Sequence, residues 1–345
     1  MNNPYTLVFG KEPAEHISRM AQEATVIQAF SAEIPAHQVY MISGVRGSGK
    51  TVFMTEIQKR FQADDGWITV EINPEKDMLL SLAAKLSSEN KLAKIFQNAK
   101  INLSFWGIGL EVGGEVPITD IETAVSKMLE SLKKHNKRVL ITVDEVTGND
   151  HVKEFVAAFQ IMLRQDLPVY LLMTGLYENI YNLQNQKSLT FLYRAPKVEL
   201  QPLSMTSIAQ NYGKNLPIAK EEAQQMAKLT RGYSFAFQVL GYFTWEAKGN
   251  FESVMTDYRE YLDQFVYDKI WSELSKKDKE ILYAIMQTPS GRIEEIRELL
   301  KISTNEFNPY RQRLINKGII SGKVRGIVRF ELPMFEEYIA EHMFG

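Results

Sequence analysis

Three stretches of this chain carry residue types that could do chemistry together. Gly44-Val45-Arg46-Gly47-Ser48-Gly49-Lys50-Thr51, followed by Val52, has the spacing GxxxxGK[ST]. Glycines at such positions let backbone N–H groups turn toward one point, and a helix opening there adds its partial positive charge. A turn of this kind cradles phosphate. Lys50 would reach the β- and γ-phosphates of a nucleoside triphosphate, and the Thr51 hydroxyl would ligate Mg2+. The plainer alternative is a glycine-rich turn with an incidental Lys-Thr. Asp144-Glu145 leaves the apolar run Arg138–Val143. Beside a phosphate turn, the first carboxylate is placed to hold Mg2+ and the second to orient and activate water; otherwise the pair is a strand end facing solvent. Thr174 closes a further apolar run and could hydrogen-bond the γ-phosphate or the water, or it simply opens the turn at Gly175. Arg194 and Arg164 could each bring positive charge to a γ-phosphate, from the same or a neighbouring subunit, or be solvated surface groups. Asn73 could pair with Glu145, although before Pro74 it reads more simply as a turn former.

These groups need a scaffold that brings strand ends together. Residues 38–42, 66–72, 138–143, 169–174 and 197–200 are short apolar runs that suit strands buried on both faces, as in a parallel sheet with crossover helices. Between them, Thr119-Asp-Ile-Glu122 reads as a capping box opening a helix to about Lys134, and Asp150 as the cap of another to about Arg164. Residues 100–117 break the rhythm: alternating Ile101, Leu103 and Phe105 with Gly107, Gly109, Gly113 and Gly114 predict a β-hairpin insertion, either a plain surface hairpin or a partner contact. From 204 to 265 the pattern is helical. From 266 onward, helices starting near Ser275, Arg292 and Ser303 precede two strands around a glycine-containing turn, the order of a winged helix.

Composition narrows the classes. The chain has 345 residues, 45% of them apolar, which is enough for two or three domains with large cores. No cysteine occurs, so disulfides, zinc-thiolate sites, iron–sulfur ligation and a cysteine nucleophile are excluded, and a reducing, cytoplasmic setting fits. Met1 to Phe9 has no apolar leader and no run approaches a membrane span, so neither secretion nor membrane insertion is expected. Five histidines without metal-ligand spacing argue against a transition-metal site. A net charge of −2 creates no whole-chain field toward nucleic acid.

A local field does exist. Over residues 303–330, Arg311, Arg313, Lys317, Lys323, Arg325 and Arg329 face a single acid, Glu306, a net of +5. A helix in the major groove of double-stranded DNA with a basic wing on the phosphates needs this arrangement, with Asn305, Asn308, Tyr310 and Gln312 as polar contacts. A basic face of a protein-interaction or autoinhibitory module has the same composition.

The motifs GVRGSGKT, the strand leading to Asp144-Glu145, LLMTGL, FLYRAPKVELQPLS and LTRGYSFAFQVLGYFTWEA, with the terminal unit, together resemble an AAA+/STAND-type P-loop ATPase of the archaeal-ATPase-like branch, similar to the origin-recognition initiator ATPases. The resemblance implies an α/β fold. A P-loop NTPase core over 1–203, a parallel sheet with helices on both faces, would carry a helical lid over 204–265 and a winged-helix domain over 266–345. It implies that Gly44 to Val52 bind ATP or ADP, with Thr51 and Asp144 on Mg2+, Glu145 activating water, Thr174 as sensor 1 and Arg194 as the arginine finger. The opening NPYTLVFGKEP…HISR resembles the start of bacterial ATPases of this type, which implies a place near the adenine for Ile17 to Arg19. The lid departs from the pattern: Gly232-Tyr233-Ser234 has neither the sensor arginine after a glycine nor Gly-x-Pro, although Arg231 stands next door. The implied function is an ATP-dependent switch, with an ATP-dependent homo-oligomer as one partner and DNA as another. The alternatives are a signalling or defence scaffold whose winged helix binds protein, and, less in keeping with the terminal unit, a metabolic P-loop kinase.

Overall fold

Runs that are apolar on both faces become a sheet covered on both faces. The computed structural model describes residues 2–8, 10, 13–108, 115–187 and 189–343. The strands β1 (Val39–Ser43), β2 (Trp67–Glu71), β3 (Arg138–Val143), β4 (Val169–Gly175) and β5 (Lys197–Glu199) all pair parallel, in the order β2-β3-β4-β1-β5. Side chains alternate faces along each strand. Val39 and Met41 of β1, Val139, Ile141 and Val143 of β3, and Val169, Leu171 and Met173 of β4 enter one core. Tyr40 and Tyr170 point the other way, into an aromatic cluster with Phe30, Phe61 and Trp67.

The helix before the first strand is α1 (Met20–Ser31), and those between the strands are α2 (Lys50–Gln62), α3 (Met78–Ser88), α4 (Asn90–Asn98), α5 (Ile121–Lys134), α6 (Asp150–Arg164) and α7 (Tyr177–Gln184). Two caps sit one residue from where the sequence places them. Asp120, not Thr119, accepts from the Thr123 N–H at the start of α5, and Asn149, not Asp150, accepts from the Val152 N–H at the start of α6. Each lies one residue before the first helical residue, where a short side-chain oxygen reaches an unpaired N–H.

The hairpin expected over 100–117 is replaced, in its described residues, by a short 3-10 turn at Ser104–Trp106; residues 109–114 lie outside the described set. The reason is local. Asn102 Oδ1 accepts from the Ser104 backbone N–H at 3.0 Å and from its hydroxyl at 2.7 Å, which curls the chain where a strand would stay extended. The two ends of the segment still meet, through Ile118 N–H to Asn102 O at 3.0 Å and Asn102 Nδ2 to Glu115 O at 2.8 Å.

The chain divides into two compact units. One holds Met20–Ser43 and Lys50–Glu199, the sheet and its helices; the other holds Met1–Arg19, Gly44–Gly49 and Leu200–Gly345. The second unit contains α8 (Met205–Asn215), α9 (Lys220–Leu229), α10 (Ser234–Glu246), α11 (Met255–Leu262), α12 (Asp268–Ser272), α13 (Lys276–Met286), α14 (Ile293–Leu300) and α15 (Thr304–Asn316), then the antiparallel pair β6 (Ile320–Ser321) and β7 (Arg329–Phe330), and α16 (Phe335–His342). An isolated bridge from Arg292 to Ile327 extends the ribbon. A single hydrophobic core runs from Ile208 and Tyr212 through Phe237 and Tyr258 to Phe307, Leu314 and Phe335.

The N-terminal segment is a strap on this core. The Tyr5 ring is buried between Tyr212 and Phe237, at 5.8 and 5.6 Å between centroids. Gly241 makes room for it, since a Cβ there would stand 2.7 Å from the ring. Asn3 bonds the Tyr242 carbonyl and Glu246, and Gln238 ties both Thr6 N–H and Glu15 O. Among the described residues no helix is long and apolar enough to cross a membrane.

Candidate functional site

In a parallel sheet the carboxyl ends of all strands share one edge, and adjacent strands β3 and β4 bring Asp144 beside Thr174. Thr51, the second residue of α2, completes the group. Its hydroxyl donates to Asp144 Oδ2 at 2.7 Å, and the buried Thr174 hydroxyl donates to Asp144 Oδ1. The Glu145 backbone N–H donates to Asp144 Oδ1 at 3.0 Å and to Thr174 Oγ1 at 3.2 Å. Val146 N–H then pairs with the Thr174 carbonyl at 2.8 Å, which locks the turn. This leaves Glu145 in the left-handed region, φ 53°, with its carboxylate exposed. A non-glycine residue held there costs on the order of 1 kcal/mol and persists only where surrounding bonds enforce it. The donor set is one carboxylate and two hydroxyls, all hard oxygens, which fits Mg2+; the residues that would hold it are Thr51 and Asp144.

The turn Gly44–Gly49 belongs to the other unit. Gly47 and Gly49 adopt φ of +74° and +88°, which side chains rarely tolerate, and a Cβ on Gly44 would stand 2.4 Å from Ser48 Oγ. Ser48 N–H closes the turn on Val45 O at 3.2 Å. Three consecutive carbonyls of the turn are then held from outside it. The Tyr233 hydroxyl donates to Arg46 O at 2.6 Å, and Phe235 N–H to Gly47 O at 3.1 Å. Ser234 Oγ and Arg19 Nη2 both donate to Ser48 O, at 3.0 and 2.9 Å. Burial pushes the Tyr233 phenol far above its ordinary range, so it remains a donor at any physiological pH. Arg19 also bonds Ser234 Oγ and the Gln201 carbonyl. It therefore lies against the glycine-rich turn, with its guanidinium directed at backbone carbonyls. Arg46 faces Glu273 at 3.7 Å, and the Gly318 backbone packs so closely on Val45 that a Cβ would come within 2.0 Å of it. Lys50 is buried as the first residue of α2, and Val52 is half-buried behind it.

Other expected residues stand apart. Arg194 is exposed at the end of a 3-10 turn, three residues before β5, and among the described residues it makes no hydrogen bond or ion pair with the Asp144 group. Arg164 is exposed in the last turn of α6. Asn73 accepts from Glu75 N–H at 2.8 Å, the turn-forming role, and is not paired with Glu145. Arg231, next to Gly232, turns toward the C-terminal elements. It bonds the carbonyls of Phe330 and Leu332 at 3.3 and 3.0 Å and both oxygens of Glu336. The residues that sequence reasoning did not assign to the site are Tyr233, Ser234 and Gln201. Their only signal is a pair of hydroxyl side chains at the start of α10, where a sensor residue was expected.

The basic face is less free than its composition suggests. Arg313 donates through Nη2 and Nε to Oδ1 of the buried Asp278, at 2.6 and 3.0 Å, and stacks over Tyr310. Lys323 pairs with Glu331 at 3.5 Å, and Arg311 packs under Gly322. Arg325 and Arg329 are exposed in the ribbon; Lys317 is half-buried at the end of α15 and has a partner.

Comparison with known proteins adds to this geometry. A family model described as a domain of unknown function (DUF8462) matches residues 264–339. No curated protein matches the chain. Among solved structures, a Walker-type ATPase of Pyrococcus abyssi is similar over 94% of this chain and 95% of that one, at 16% identity and a TM-score of 0.67. The ORC2 protein of Aeropyrum pernix, in its ADPNP–ADP complexes, is similar over 97% of this chain and 95% of that one, at 12% identity and a TM-score of 0.64. At such identities the likeness is one of fold. The chain has the fold of these P-loop ATPases: a parallel five-stranded sheet with flanking helices and a C-terminal helical region.

Proposed function

We propose that the chain is a Mg2+-dependent, slowly hydrolysing ATPase of the AAA+/STAND type, and that its nucleotide state controls DNA binding by a C-terminal winged helix. The observation that carries the ATPase reading is the convergence of Thr51, Thr174 and the Glu145 N–H on the Asp144 carboxylate. In this reading the turn Gly44–Gly49 and Lys50 bind the phosphates of ATP or ADP, with Val45, Arg46, Ser48 and Val52 lining the turn and Arg19 supporting it. Thr51 and Asp144 hold Mg2+, Glu145 orients the attacking water, Thr174 senses the γ-phosphate, and Arg194 acts as a finger from a neighbouring copy in an ATP-dependent homo-oligomer. The ADPNP–ADP complexes of the Aeropyrum pernix relative support nucleotide as the ligand. Lys50→Ala is expected to abolish binding of ADP, read by calorimetry; unchanged affinity would remove the reading.

The DNA part rests on three helices and a basic ribbon. Asp278 holds Arg313, whereas the exposed Lys323 is only loosely paired with Glu331, so the cations offered to phosphate are Lys323, Arg325 and Arg329, with Arg311 on the adjoining helix. Two to four phosphate contacts predict a slope of log affinity against log salt of about −2 to −4. Arg325→Ala and Arg329→Ala should each flatten it by about 1. The internal Arg313–Asp278 pair favours the second reading, a signalling or defence scaffold whose C-terminal unit binds protein. A titration showing no DNA affinity at low salt, with and without ATP, would select it.

A further inference from the structure

We infer that Tyr233, Ser234 and Arg19 are positioning residues that hold the phosphate turn in its binding shape from the lid side. The inference rests on the nucleotide-binding reading and adds to it residues that the glycine-rich motif does not contain. A trans peptide sets its C=O and N–H in opposite directions. The carbonyl of Arg46 is fixed by the Tyr233 hydroxyl, that of Gly47 by the Phe235 N–H, and that of Ser48 by Ser234 and Arg19. Each fixed carbonyl turns the next residue's N–H to the face away from the lid. Ser48 N–H folds back onto Val45 O, so the N–H groups presented there are those of Gly47 and Gly49, the two glycines with positive φ.

A glycine-rich loop left to itself samples many backbone states, and ordering it on binding would weaken affinity. Here α10 supplies that order before a ligand arrives. The fit is close as well as directional: a Cβ on Gly47 would stand 2.3 Å from the Tyr233 hydroxyl and 3.0 Å from Phe235 Cβ, so the glycine serves the lid contact as much as the turn. The position where a lid arginine would contact nucleotide directly is thus filled by groups that grip the loop itself.

The test compares ADP affinity with the melting temperature of the nucleotide-free protein. Tyr233→Phe keeps the ring and removes one donor; Ser234→Ala removes one of the two on Ser48 O. Each is expected to raise the Kd for ADP about fivefold, and Arg19→Met about tenfold, with Arg19→Lys recovering part of the loss. The melting temperature without nucleotide should stay within about 2 °C of wild type, since a single hydrogen bond is a small part of the stability of a protein this size. Tyr258→Phe removes a lid hydroxyl that bonds the Leu229 carbonyl, away from the turn, and should leave ADP affinity unchanged. If wild type binds ADP and Lys50→Ala does not, yet Tyr233→Phe and Ser234→Ala bind as wild type does, the brace is wrong. It is equally wrong if their affinity falls only in step with a collapse of the nucleotide-free melting temperature, or if Tyr258→Phe weakens ADP as much. If wild type itself binds no ADP, the nucleotide reading fails and the brace falls with it.

Discussion

Glu145→Gln is expected to bind ADP and ATP as tightly as wild type and to hydrolyse ATP about 10²–10⁴ times more slowly, the usual contribution of a positioned general base. The geometry separates the two effects. The Glu145 backbone is held by its own N–H on Asp144 and Thr174 and by Val146 N–H on the Thr174 carbonyl, none of which involves its carboxylate. Glutamine has the same shape and the same backbone, so the Asp144 group survives and only the base is lost. Glu145→Gly makes the companion case. It removes the carboxylate and also relieves the left-handed conformation at φ 53°, so it should lose turnover while gaining about 1 kcal/mol of stability. Single-turnover hydrolysis and a melting curve read both quantities. Wild-type turnover by Glu145→Gln would end the assignment of Glu145 as the water-activating group.

The sequence disclosed what was local or repetitive and hid what was distant. β1, β3 and β4 were legible because they are apolar on both faces and stand out as continuous runs, whereas the edge strands β2 and β5 carry exposed Glu71, Lys197 and Glu199 and show only as short β-rich stretches. The glycine-rich turn at 44–49 was legible because eight consecutive residues, Gly44 to Thr51, set its spacing. Asp144 and Thr174 followed because each ends such a run, and neighbouring strands then place them together. The helix caps were misread by one residue because Thr119-Asp120 and Asn149-Asp150 each offer two competent caps, and only the backbone decides between them. Alternation over 101–105 predicts a strand, but Asn102 curls the chain there with its own side chain. The grip of Tyr233 and Ser234 on Arg46 and Ser48 could not be read at all. Its partners lie 187 and 186 residues apart, and the acceptors are backbone carbonyls that carry no sequence signature.

Arg313 shows the same limit for charge, and it carries the second large expected effect. By composition it was a phosphate contact; in the structure its guanidinium answers Asp278, whose side chain is 2% exposed. Asp278 is also the N3 residue of a capping box: its Oδ2 accepts from both Ser275 N–H at 3.0 Å and Ser275 Oγ at 2.6 Å. Breaking a buried pair by removing one partner costs about 3–5 kcal/mol, because the remaining charge stays desolvated. The Arg313 side chain is itself 41% exposed, which lowers the figure for Arg313→Met to about 2–3 kcal/mol. Adding Asp278→Asn should recover part of that loss, since an amide oxygen still serves the Ser275 cap and no uncompensated charge remains. The measurement is hydrogen exchange at Ile281 and Leu314, buried residues of α13 and α15, the two helices the pair joins. DNA affinity, compared at a temperature where the variant stays folded, should be unchanged within about twofold, in contrast to Arg325→Ala and Arg329→Ala. If Arg313→Met instead weakens DNA as those two do and leaves exchange at Ile281 and Leu314 at wild-type rates, the arginine is a phosphate contact after all and its pairing with Asp278 carries no stability.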